Sequence, residues 1–125
     1  MSKLIFFVDD DKMIINLLEY TFQSRHQYMV KSFYSGEACL NALHMKPDLI
    51  VLDHQLATKN NNQLNGIQTL EKIKNTDHDV PVIVLTAHGS DELYEAFLEK
   101  GAERFLTKDD YFIDSLMDSI GELLN

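Results

Sequence analysis

The chain has 125 residues, 45% of them hydrophobic, which suits a single domain over 1–125 with a core of its own and no need of disulfides or a structural metal. Twenty acidic residues against 11 basic ones give a net charge of −9, which argues against direct binding to nucleic acid or to an anionic membrane surface. The single cysteine, Cys39, excludes an internal disulfide and fits a reducing cytoplasm, and the apolar run Leu4 to Val8 is too short for a membrane span or a signal-peptide core.

Three apolar runs lack alternation: Leu4 to Val8, Leu49 to Leu52 and Val80 to Leu85. Such runs are expected of strands covered on both faces, as in a parallel sheet. Met29 to Tyr34 and Arg104 to Thr107 are weaker strand candidates. Between the strands the period becomes helical. Ile14, Leu17, Leu18 and Phe22 form the first stripe, followed by Ile67, Leu70 and Ile73, then by Leu93, Ala96 and Phe97. The last helix carries Ile113, Leu116, Met117, Ile120 and Leu124, with Gly121 as an interior blemish of roughly 1 kcal/mol. Ser35 and Ser90 suit N-caps, and Gly101 stands where a helix should stop. The stretch Thr58 to Asn65 is rich in turn formers and reads as an exposed loop.

Five strand–helix pairs in strict alternation imply an α/β fold: a flavodoxin-like, doubly wound, five-stranded parallel sheet in the order 2-1-3-4-5 with five helices. Function then belongs at the carboxyl ends of the strands near the reversal of order. Asp9, Asp10 and Asp11 follow the first strand, Asp53 the third, Thr86 the fourth and Lys108 the fifth. Taken singly, each has a plain structural reading: a helix cap, a turn residue, a core threonine, a surface lysine. Their convergence on one rim is what points to a site.

The segments Phe7-Val-Asp-Asp10, Val51-Leu-Asp53, Val84-Leu-Thr-Ala87 and Phe105-Leu-Thr-Lys108 resemble the receiver domains of two-component response regulators, and the likeness runs from Leu4 to the last helix. The resemblance implies that Asp53 is the phosphoacceptor and that Asp9 and Asp10, with Asp53 and the backbone carbonyl of Gln55, hold Mg2+. It further implies that Thr86 and Lys108 contact the phosphoryl oxygens and that Thr86 and Phe105 switch the surface of helix four, strand five and helix five. A histidine kinase or histidine phosphotransfer protein would be the donor, and the chain would catalyse only its own phosphorylation and dephosphorylation. With no output domain in the sequence, the signal would pass to an unidentified protein target, and a phosphorylation-dependent homodimer stays open. Physical chemistry points the same way. Carboxylates about 4 Å apart repel by on the order of 4 kcal/mol per pair at an effective dielectric of 20, and one lysine cannot offset three of them. Oxygen donors favour a hard dication such as magnesium.

Two departures from the family stand out. The glycine expected about eight positions after the phosphoacceptor is Gly66, thirteen positions after Asp53, so residues 57–65 read as a loop insertion. Asp109 replaces the usual proline after the lysine, which leaves the geometry of the Lys108–Asp109 peptide open; Asp109 or Asp110 is expected to cap the last helix. The five histidines lack metal-ligand spacing, although His54 and His88 stand close enough to the site to influence attack by water on an acyl phosphate. Cys39 reads as packing, and no Gly-rich phosphate loop follows the first strand. Two rival readings remain: a degenerate receiver acting as an interaction module, and a small phosphotransferase with an aspartyl nucleophile.

Overall fold

The computed structural model describes residues 2–56 and 64–124. Most of the expected 57–65 insertion, residues 57–63, therefore lies outside the described residues. The elements alternate as expected: β1 (Lys3–Val8), α1 (Lys12–Phe22), β2 (Tyr28–Phe33), α2 (Gly36–Asn41), β3 (Leu49–Asp53), α3 (Gly66–Thr76), β4 (Val82–Thr86), α4 (Asp91–Glu99), β5 (Arg104–Thr107) and α5 (Phe112–Leu124). A short 3-10 turn at Leu43–Met45 follows α2. All strand pairings are parallel, and the order is β2-β1-β3-β4-β5.

The unbroken apolar runs are explained by two separate cores, because successive strand residues point to opposite faces. Phe6, Val8, Ile50, Leu52, Val82 and Val84 pack beneath Cys39, Leu70, Ile73 and Phe97 from α2, α3 and α4. Ile5, Phe7, Leu49, Val51, Ile83 and Leu85 face Ile15, Leu18 and Phe22 of α1 and Phe112, Leu116 and Ile120 of α5. The edge strands β2 and β5 are only partly covered, which is why their sequences carry the weaker signal.

One expected helical face needs correction. On α1 the buried residues are Ile15, Leu18 and Phe22, whereas Leu17 is 41% exposed. Four apolar residues at 14, 15, 17 and 18 permit two overlapping stripes at roughly 100° per residue, and docking onto Ile5 and Phe7 selects one of them. Of the expected faces, Leu70 and Ile73 of α3 and Phe97 of α4 are buried while Ile67, Leu93 and Ala96 are half-buried, and α5 adds Phe112 to its stripe.

The ends behave as their chemistry demands. Ser35 and Ser90 accept the amides of Ala38 and Leu93. After α4, Gly101 takes φ +105; its amide donates to the Leu98 carbonyl and that of Ala102 to the Phe97 carbonyl, so a left-handed glycine closes the helix. Glu37 of α2 accepts the amide of Leu64 at 2.8 Å, which ties down the chain just ahead of α3. Gly66 then passes so close to β3 that an added Cβ would lie 2.5 Å from the carbonyl oxygen of His54 and 2.9 Å from that of Asp53.

Candidate functional site

Four strand ends meet at one rim, and backbone hydrogen bonds continuing the sheet hold each of them. The amide of Asp9 donates to the Phe33 carbonyl, that of His54 to Leu85, and that of Lys108 to Thr86. Side chains leaving these positions are therefore set by rigid strands rather than by loops. Asp11, exposed, is the residue of the acidic triplet that caps α1, accepting the Met13 amide at 2.9 Å. That frees Asp9 and Asp10 for another purpose.

Asp9 and Asp53 are almost fully buried, at 3% and 4% exposure. The Lys108 ammonium closes over both, 2.9 Å from Asp9 Oδ2 and 3.1 Å from Asp53 Oδ1. Asp9 Oδ1 accepts the Asp11 amide at 2.9 Å, so both of its oxygens are oriented. Asp10 stands exposed at the mouth, and carboxylate oxygens of Asp9, Asp10 and Asp53 lie within 4.8 Å of one another. Burial is the main influence on Asp9: together with the Asp53 charge it lifts the carboxyl to about 6, against the Asp11 hydrogen bond and Lys108, which pull it down. For Lys108, burial alone would lower the pKa, but the hydrogen bond it donates to Asp9 and the charges of Asp53 and Asp9 outweigh it and raise the value. A cluster in which burial and like charge oppose ionisation marks this rim as the candidate functional site.

The other expected residues are nearby. Thr86 is fully buried, and its hydroxyl is engaged with His88 and His54 rather than with Asp53. Gln55 lies exposed in the turn after β3. Phe105 is half-buried between Tyr94 and Phe97, with ring centroids at 5.7 and 5.6 Å. Beside it opens a cavity of about 250 Å³ lined by Gly89, Ser90, Asp91, Tyr94, Phe105 and Thr107. The Lys108–Asp109 peptide is trans, and the Asp109 carboxylate accepts the Tyr111 amide at 2.9 Å just ahead of α5. With aspartate in place of proline, the lysine still reaches both carboxylates.

His54 was legible in the sequence only as a neighbour of Asp53; its contact with Thr86 comes from the pairing of β3 and β4 and carries no sequence signal. Burial is the largest influence on this ring and lowers its pKa, with the Asp53 charge opposing it and Lys108 acting in the same direction as burial. Cys39 is buried packing, its thiol pushed up to about 12 by desolvation.

Residues 5–120 match the response regulator receiver domain family. The chain belongs to that family. Similar proteins include PhoP of Bacillus subtilis (strain 168), the alkaline phosphatase synthesis transcriptional regulatory protein, 34% identical over 110 residues, covering 86% of this chain and 43% of PhoP. The transcriptional regulatory protein CpxR of Escherichia coli (strain K12) is 36% identical over 108 residues, again covering 86% of this chain and 43% of CpxR. The chain thus spans less than half the length of these curated relatives. Among solved structures, the BeF3-activated receiver domain of DrrB, a Thermotoga maritima protein, superposes with a TM-score of 0.85 at 30% identity, covering 99% of this chain and 98% of that one. The receiver domain of the Francisella response regulator 1452 gives 0.84 at 26% identity, with 98% and 96% covered. Among the described residues, no helix of this receiver domain is long and apolar enough to cross a membrane.

Proposed function

We propose that this receiver domain accepts a phosphoryl group on Asp53, with Mg2+ held by Asp9, Asp10, Asp53 and the Gln55 carbonyl, and that α4, β5 and α5 form the surface that reads the change. The observation carrying this reading is the single ammonium of Lys108 shared between two buried carboxylates, with a third at the mouth. Three negative charges against one positive charge favour a dication. The donors are all oxygens, which suit a hard ion that keeps part of its water shell. When bound, Mg2+ supplies neutralisation of the charge on carboxylate and phosphoryl oxygens.

The chain's own groups do the rest. A carboxylate oxygen of Asp53 attacks phosphorus; the O–P bond forms as the P–N bond of a phosphohistidine breaks, and its electron pair stays on the departing imidazole. Lys108, already within 3.1 Å of Asp53, pairs with the negative charge arriving there. Thr86 donates its hydroxyl to a phosphoryl oxygen, and Phe105 moves inward toward Phe97. The outcome is a population shift set by how much better one arrangement accommodates the new charge.

The donor is a histidine kinase or histidine phosphotransfer protein in the cytoplasm, and the chain acts on no substrate but itself. A net charge of −9 favours protein over nucleic acid as the partner of this domain. Incubation with acetyl phosphate and Mg2+, read by intact mass, tests the proposal. One added phosphoryl group, lost in Asp53→Asn and in chelator, is expected. No label would favour an interaction module, and continuous turnover a phosphotransferase.

A further inference from the structure

The Thr86 hydroxyl is held in a closed set of bonds. A hydroxyl has one proton to give and two lone pairs to offer. Thr86 Oγ1 donates to the His88 carbonyl at 3.0 Å and accepts the His88 amide at 3.3 Å, while His54 Nδ1 lies 3.3 Å away. With the hydroxyl proton committed to the His88 carbonyl, the remaining lone pair takes a proton from Nδ1. This hydrogen-bond set assigns the Nδ1–H tautomer to His54. The ring is itself braced: it meets fully buried Phe97 edge-on, with centroids 5.5 Å apart and planes at 82°. Its backbone is tied to Leu85 of β4 at 2.8 Å.

We infer that His54 is a positioning residue that holds the Thr86 hydroxyl in its withdrawn arrangement and thereby sets how readily Thr86 reaches a charged group on Asp53. The inference rests on the role proposed above for Thr86. The hydroxyl has one proton, so it cannot serve the His88 carbonyl and a phosphoryl oxygen together. The bond from His54 belongs to the withdrawn arrangement, and its loss weights the population toward the other. A net hydrogen bond between neutral groups shifts such an equilibrium by about threefold to tenfold.

Titration with beryllium fluoride and Mg2+, followed by calorimetry, tests this in the intact chain, because trifluoroberyllate stands in for the phosphoryl group. His54→Leu keeps an apolar contact for Phe97 and removes the donor; its half-saturating concentration should fall about threefold to tenfold. His54→Asn restores an amide at the branch position of Nδ1 and should return the value to within about twofold of the parent. In a Thr86→Val background, where the hydroxyl is gone, His54→Leu should change nothing. The inference is overturned if His54→Leu matches the parent, or if it shifts binding by the same factor with and without the hydroxyl. If Thr86→Val alone leaves binding unaltered, or if the parent binds no trifluoroberyllate, it is the underlying role of Thr86 that fails, and this inference falls with it. Melting temperatures of all variants separate these results from loss of fold.

Discussion

Lys108 and Asp9 are 99 residues apart in the chain and 2.9 Å apart in the fold. Neither reaches water freely, and the same ammonium also serves Asp53 at 3.1 Å. One cation from the second half of the chain thus anchors two buried carboxylates from the first half. With Asp10 at the mouth, three carboxylates face one ammonium, and the responses expected of this domain follow from that imbalance.

Replacing Asp53 by Asn removes one of three crowded charges and keeps an oxygen for Lys108. The metal-free variant should be more stable than the parent by about 1 kcal/mol, the size of a partly screened repulsion. Thermal melting in chelator checks it; an unchanged or lower midpoint would mean that the carboxylates do not strain the fold.

Lys108→Met does the reverse, leaving Asp9 and Asp53 buried without a counter-charge. Without metal, stability should drop by about 3 kcal/mol, as for other broken buried pairs. Added Mg2+ should raise the variant's midpoint more than the parent's. Equal metal responses in the two proteins would separate the lysine from the ion site.

The pH dependence follows from Asp9, whose carboxyl sits at about 6 against an ordinary 3.8. Below 3.8 it is protonated in both folded and unfolded chains and costs nothing. As pH rises from 3.8 to 6 the unfolded chain releases its proton first, so this group removes stability from the metal-free fold, and above 6 the loss is constant. Protons also compete with the ion, so Mg2+ affinity should weaken as pH falls below about 6. Magnesium titrations at pH 5, 6 and 7.5 measure this; constant affinity would show that Asp9 does not carry the proton.

Gly66→Ala tests the close pass beneath the site. The new methyl would lie 2.5 Å from the His54 carbonyl, a backbone atom that moves only with Asp53. A loss of about 1–3 kcal/mol is expected, the cost of overpacking, together with slower labelling by acetyl phosphate. Chemical denaturation and labelling time courses read the two effects; wild-type values in both would show that the loop yields without disturbing β3.

Much of this was visible in the residue order. The runs Leu49 to Leu52 and Val80 to Leu85 announce covered parallel strands because both sheet faces are buried, and Asp9, Asp53, Thr86 and Lys108 stand at strand ends. Ser35, Ser90 and Gly101 mark helix ends by local chemistry that needs no distant partner. The phase of α1 was not visible: Ile15, rather than Leu17, turns inward because Ile5 and Phe7 receive it.

Local pattern and chain order alone determined the five-fold alternation, its 2-1-3-4-5 sheet and the rim on which the acidic residues gather, because periodicity and crossover handedness act over short stretches. Tertiary structure alone decided which aspartate caps α1, that Lys108 bridges Asp9 and Asp53, that Gly66 presses on β3 and that the His54 ring meets the Thr86 hydroxyl. Those are contacts between residues distant in sequence or competing for one neighbour, and ångström distances between rigid strands settle them.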